Sequence, residues 1–294
     1  MIHKPLSRSM YPYAFVVPAM ALFGVFFVLP VLAGFVFSFT DWHIDRLFAP
    51  VFNGGENFSK AFDDEYFFLS VRNTLAFAVV TSVGKVVLGL VLALALTKNL
   101  ATRDFLRAAF YFPYVISTVA VGLVFTSILA YQGMLNGGLM TLGILSEPVE
   151  WLGRTDTALL ATMFTEVWCA TGFTMVIFIT GIQAIPKELY EAADIDGVRA
   201  FRRFWVVTLP MLAPAMTIAV TACVIGGLKV FSQVYIMTGG GPGFSTQVLS
   251  TYVFKTFSQG RLGLSTAMGL MLFLFVSAIA LPFNRYLRNR EVSL

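Results

Sequence analysis

Two ionisable side chains stand deep inside apolar sequence: Lys85, near the middle of the second apolar run, and Glu166, in the fourth. A charge at membrane depth is expensive, so each is a functional candidate by default. Glu166, Ala170 and Phe173 recur at i, i+4 and i+7, one face of a helix, with Trp168 nearby. A carboxylate that accepts from hydroxyls, an aromatic ring and a small residue that leaves room are what a sugar site needs. Packing against a neighbouring helix accounts for the same three residues equally well. A structural Lys85–Glu166 pair, or a lysine snorkelling along its stem, accounts for Lys85. Further on, Gly226-Gly227 thins another apolar run just before the polar Lys229, Ser232 and Gln233.

Other chemistry is missing. Gly84-Lys85 is followed by Val86 and lacks the first glycine of a nucleotide-binding G-x-x-x-x-G-K-[ST] loop. The glycines from Gly239 to Gly243 could cradle a phosphate, but no lysine follows and no helix opens there. G-x-S-x-G, H-E-x-x-H and C-x-x-C are absent, His3 and His43 are far apart, and Cys169 and Cys223 both fall in apolar segments. Buried cysteines of that kind act as small hydrophobes. The chain is therefore expected to be no enzyme on its own, with neither a disulfide nor a metal site.

The one long polar interruption on a basic side of the chain is Ala184 to Pro210. Pro186 suits a helix start, Lys187 to Ile195 reads as a short helix, and Asp196-Gly197 ends it, since glycine accepts the left-handed conformation. A second helix starts at Val198 and is basic at Arg199, Arg202 and Arg203. A helix, a glycine turn and another helix make a rigid projecting knob. Ala192 and Ala193 would let another surface approach the backbone.

These residues must be positioned by membrane helices. Only 12% of the 294 residues are charged and 57% are hydrophobic, against about 25% charged in soluble domains. A span needs ~20 apolar residues for ~30 Å of hydrocarbon. Six are expected, at about 12–39, 73–97, 106–130, 157–182, 206–228 and 265–287, with the first kinked or ending near Pro30. Twelve Lys and Arg fall on the side that holds both termini and the 184–205 loop, and seven on the other, which makes the first side cytoplasmic. The basic residues lie at span ends with no aromatic-interleaved stripe, so no nucleic acid is expected. Among the outer loops, Asp41 to Arg72 suggests helices lying along the membrane, with Trp42, Phe58, Tyr66 and Phe67. The stretch at 133–139 reads as a turn, and Thr238 to Gly243 as a tight, backbone-exposed one.

Glu191-Ala192-Ala193 followed by Asp196-Gly197, with Phe201, Phe204 and Pro210 downstream, resembles the EAA loop of ABC importer permeases. Phe39-Thr40-Asp41-Trp42, Glu56-Asn57-Phe58, Pro113-Tyr114, Gly133 to Asn136 and especially KVFSQVYIMTGGGP at 229–242 are similar to the carbohydrate-type branch, which takes in maltose, multiple-sugar and glycerol-phosphate permeases. Ser232, Met237 and Val124–Phe125 stand where that branch often has Asp, Leu and Trp. The likeness runs from Tyr11 to Arg288.

The resemblance implies an all-α membrane protein, 1–294 forming one permease domain of the type I ABC importer fold, with six transmembrane helices and both termini cytoplasmic. It implies a second permease, commonly a different chain, two ATP-binding subunits and an external solute-binding protein, in the inner membrane of a bacterium. ATP and Mg²⁺ would be bound by the partner ATPase, with no cofactor in this chain. Glu191, Ala192, Ala193, Asp196 and Gly197 would contact that ATPase, while Glu166, Ala170, Phe173, Gly226 and Gly227 would line the substrate path. The competing reading is a stand-alone ion-coupled transporter or channel built on Lys85 and Glu166.

Overall fold

The structure, a computed structural model, describes residues 16–98 and 100–289. The expected start of the first span at residue 12 lies outside the described residues, as do Lys4, Arg8 and Arg290. The chain divides into two compact units. One takes in the chain up to Asp63 and returns for Lys255–Met271; the other holds Asp64–Phe254 and the chain from Leu272 onward.

In the first unit, α1 (Val17–Phe37) is long and apolar enough to cross a membrane and buries none of its most apolar stretch against the chain. It leads into a short antiparallel pair, β1 (Thr40–Asp41) and β2 (Val51–Phe52), with Thr40 opposite Phe52. α2 (Glu56–Phe62) comes next. The buried Asn57 side chain on α2 donates to the carbonyls of Ser38 and Thr40 at 2.9 and 2.8 Å, satisfying backbone that the two-residue strands leave unpaired. The Gly263 amide donates to Trp42 O at 2.7 Å, and the Ile44 amide to Gly260 O at 2.9 Å.

The second unit opens with α3 (Glu65–Leu96), whose first turn is capped by Asp64 accepting from the Tyr66 amide at 2.9 Å. Tyr66 and Phe67 thus begin this long helix and do not form a separate interfacial one. Next come α4 (Arg103–Val115), α5 (Thr118–Ile128), α6 (Met134–Thr141), α7 (Ala158–Gln183), α8 (Lys187–Ile195), α9 (Ala200–Met211), α10 (Ala213–Leu228) and α11 (Ser232–Thr238). α12 (Leu249–Ser258) and α13 (Leu262–Arg288) run from one unit to the other. Among the described residues the architecture is all-helical apart from the two-residue strands.

Among the described residues, four helices, α1, α3, α7 and α13, qualify as spans by length and composition. Two further pairs qualify only together: α4 and α5, bent by 95°, and α9 and α10, bent by 71°. The apolar runs at 106–130 and 206–228 are therefore broken, not straight. Pro113 removes a backbone donor within α4, and Ile116 and Ser117 are extended, with ψ of 146° and 129°. Leu212, fully buried between Pro210 and Pro214, marks the second break. The kink expected in α1 takes another form. A π turn at Gly24–Val28 precedes Pro30, and a second at Phe204–Thr208 precedes Pro210. Each shifts the hydrogen-bond register just where proline would leave a carbonyl without its donor.

α7 is the hub, with 56% of its most apolar window buried. Close helix approach is set by small residues. A Cβ on Gly181 would lie 2.6 Å from the Ala215 methyl, and one on Gly227 the same distance from Ala78 Cα. Ala93, Leu96, Met175, Phe178, Ile179, Leu212, Ala215 and Ala219 form one buried cluster where α3, α7 and α10 meet.

Two loops differ from expectation. Residues 134–141 are helical, and the buried Asn136 on that helix reaches the carbonyls of Tyr131 and Val149 at 3.0 and 2.9 Å while accepting from Trp151 Nε1 at 2.9 Å. The glycine turn after α11 is packed. Thr246 donates to Gly241 O at 2.7 Å, and Gly240 is buried against the Gln247 side chain.

Candidate functional site

The polar knob is built as the residue types require. α8 runs from Lys187 to Ile195 with Pro186 just before it. Gly197 closes it at φ +68°, with its amide on Asp194 O at 3.1 Å and the Val198 amide on Ala193 O at 2.9 Å. Nothing lies within 4 Å of where a Cβ on Gly197 would sit, so the glycine is needed for backbone conformation alone.

The knob has two faces. Glu191, Ala192, Asp196 and Gly197 are exposed, while Ala193 is buried against its own chain. The knob also leaves apolar groups uncovered: Ile195 is 87% exposed, and Phe201 and Trp205 are open as well. Uncovered apolar side chains beside charged ones suit a surface that meets another protein or a membrane.

α8 is fastened to α9. The Tyr190 and Thr208 hydroxyls lie 3.2 Å apart, Arg203 pairs with Asp194, and the Arg203 guanidinium sits 5.8 Å from the Tyr190 ring centroid. Thr208 belongs to the π turn, so the projecting helix is tied to the first turns of the α9–α10 pair. Sequence reasoning had no signal for the Tyr190–Thr208 contact, which spans 18 residues across a glycine turn.

The second constellation is at membrane depth. Lys85 Nζ lies 3.2 Å from Glu166 Oε1, with the side chains 4% and 21% exposed. The Thr174 hydroxyl donates to Lys85 O at 2.7 Å, a second polar tie between α3 and α7. Glu166, Ala170 and Phe173 are all half-buried on one side of α7, as their spacing requires. Phe173 stacks on Tyr114 of α4, ring centroids 4.9 Å apart. Tyr114 is thus a member of this face that helical spacing could not supply. The Gly226-Gly227 pair separates: Gly227 is buried against Ala78 and Thr81 of α3, while Gly226 has open space beside it. A further cleft of about 470 Å³ lies between α10 and α13, lined by Thr217, Thr221, Asn284 and Arg288 among apolar neighbours. Among the described residues no group of three or more His, Cys, Asp or Glu could hold a metal.

Residues 85–291, well over half of the chain, match the model of the family described as binding-protein-dependent transport system inner membrane component. The chain belongs to this family. It is a multi-pass membrane permease subunit of an ABC importer and not itself an enzyme. Relatives extend over nearly its full length. A probable ABC transporter permease protein, YurN, of Bacillus subtilis is 34% identical, covering 96% of this chain and 98% of its own. The trehalose/maltose transport system permease protein MalF of Thermococcus litoralis is also 34% identical, with 95% and 94% covered. The multiple sugar-binding transport system permease protein MsmF of Streptococcus mutans is 32% identical, with 99% of each covered. Among solved structures, a bacterial ABC transporter involved in the import of the acidic polysaccharide alginate superposes with a TM-score of 0.82 over 94% of each chain. At 22% identity this shows the fold alone.

Proposed function

We propose that this permease forms half of the translocation path of an ATP-driven, binding-protein-dependent oligosaccharide importer in a bacterial inner membrane. Six spans would place both termini and α8 on the cytoplasmic side, in line with the excess of Lys and Arg there. The observation that carries the reading is the rigid α8 knob with Glu191 and Ala192 exposed at its surface and Gly197 in the left-handed conformation. Its relatives' names, for trehalose/maltose and for multiple sugars, support the substrate class.

The assembly would hold a second, different permease, two ATP-binding subunits that carry ATP and Mg²⁺, and an external solute-binding protein. Closure of the ATPase pair moves the two knobs. Glu191 makes the principal polar contact, and Ala192 and Gly197 allow close docking, while buried Ala193 keeps α8 seated on its own chain. The Tyr190–Thr208 and Arg203–Asp194 contacts pass that displacement to α9 and α10. Glu166, Ala170, Phe173 and Gly226 line the opened path, with Gly227 setting how closely α10 approaches α3.

The test is uptake into proteoliposomes by the assembly purified through a tag on this chain. Uptake that needs both ATP and sugar-loaded binding protein is expected. Gradient-driven uptake by this chain alone, indifferent to ATP, would overturn the reading.

A further inference from the structure

We propose that Glu166 makes this half of the path selective against anionic solutes, so that the cargo is an uncharged sugar and not a phosphorylated or uronic one. The inference rests on the reading of the Glu166 face as path-lining.

Three observations carry it. First, Lys85 and Glu166 are formal charges well inside α3 and α7 that meet each other, whereas Arg72, two turns into α3, is exposed. Second, the pair is oriented. Lys85 is sealed between helices, 3% exposed, while the Glu166 side chain keeps 21% of its surface open. A carboxylate with open surface cannot face hydrocarbon, so that side of α7 looks onto water or polar groups. What the opening sees is the negative end of the pair. Third, Lys85 is the only hydrogen-bonding partner of Glu166 among the described residues, and only Oε1 is engaged, at 3.2 Å. Oε2 is free to accept from a sugar hydroxyl. An anion entering there meets a carboxylate whose counter-charge lies behind it, while a neutral polyol meets an acceptor. Phe173, Tyr114 and Ala170 beside it offer ring faces and space but no cation.

Because a solute-binding protein also selects cargo, the test must read the path itself. In the purified full assembly, Ala170→Cys is treated with methanethiosulfonates of one size and different charge, sulfonatoethyl and trimethylammonioethyl. Rates are normalised to those with a free small thiol, and labelling of the buried Cys169 and Cys223 in the parent chain is subtracted. The cationic reagent should react faster by roughly three- to tenfold, as expected for one unit charge several ångströms away in a wet path. Glu166→Gln should bring the ratio to one or below, since Lys85 then stands without its counter-charge, and Glu166→Asp should retain the preference. Should Glu166→Gln fail to assemble because Lys85 loses its partner, Lys85→Met with Glu166→Gln removes both charges, and the ratio should again fall to about one. A ratio that ignores Glu166→Gln and the double variant would overturn the proposal and leave the pair a structural tie. Labelling by neither reagent would overturn the path reading and the proposal with it.

Discussion

The hydroxyls of Tyr190 and Thr208 meet at 3.2 Å, joining the helix that carries Glu191 to the π turn within α9. With the Arg203–Asp194 pair, this makes the knob and the foot of α9 one mechanical piece. A neutral hydrogen bond contributes about 1 kcal/mol net, enough to change how often the two move together. Tyr190→Phe and Thr208→Val should each lower the ratio of sugar transported to ATP hydrolysed by a fewfold, at unchanged membrane levels. Arg203→Ala should lower it further. Unchanged ratios in all three variants would show that motion passes elsewhere.

Gly197 offers a cleaner separation, because its neighbourhood is empty and only φ +68° matters. Left-handed conformation costs an L-residue about 1–2 kcal/mol, less for Asn and more for a β-branched side chain. Uptake should fall in the order Gly, Asn, Ala, Val, while insertion, monitored by membrane-fraction immunoblot, stays constant. Normal uptake with Gly197→Val would contradict the coupling role.

The intramembrane pair predicts strong non-additivity. Leaving one member of a buried ion pair alone costs roughly 3–5 kcal/mol, whereas replacing both is often close to neutral. The partial exposure of Glu166 places the expected loss at the lower end of that range. Lys85→Met should lower the unfolding midpoint in detergent, and adding Glu166→Gln should restore most of it. A double variant no better than the single would mean that the two groups act independently.

Asn136 is the polar hub of the segment between α5 and α7. Its amide reaches Tyr131 O and Val149 O and accepts from Trp151 Nε1. Asn136→Ala strands these buried groups at about 1–3 kcal/mol. It should lower the unfolding midpoint and speed proteolysis between residues 130 and 151, while ATPase activity of the assembly changes little. Unaltered proteolysis would show that the segment is held by its apolar contacts alone.

The places of the apolar runs and the bounds of α8 were legible because hydropathy and helix-end chemistry are local. Pro186 and the Asp196-Gly197 stop enclose α8 as the structure has it. The 95° and 71° bends were not legible, since apolar content says nothing about the direction of the backbone through Ile116-Ser117 or Leu212. A turn was expected at 133–139 because its glycines are plain in the sequence, while the bonds that hold Asn136 in a helix come from residues up to 15 positions away. The Glu166 side of α7 came from spacing, but Tyr114, stacked on Phe173, arrives from another helix. Ala192 and Ala193 read alike in sequence, and only packing shows that one faces out and the other in.

The most direct test of the coupling role is a cross-link at Ala192, on the exposed face of the knob. With Ala192→Cys in the native membrane and a short bifunctional maleimide, this chain should be trapped with an ATP-binding subunit, in a yield that changes when ATP is added. The same ATPase should co-purify with the parent chain and be lost when Glu191 and Gly197 are both altered. A correctly inserted Ala192→Cys chain that cross-links to no ATP-binding subunit, and purifies without ATPase activity, would contradict the coupling role of α8.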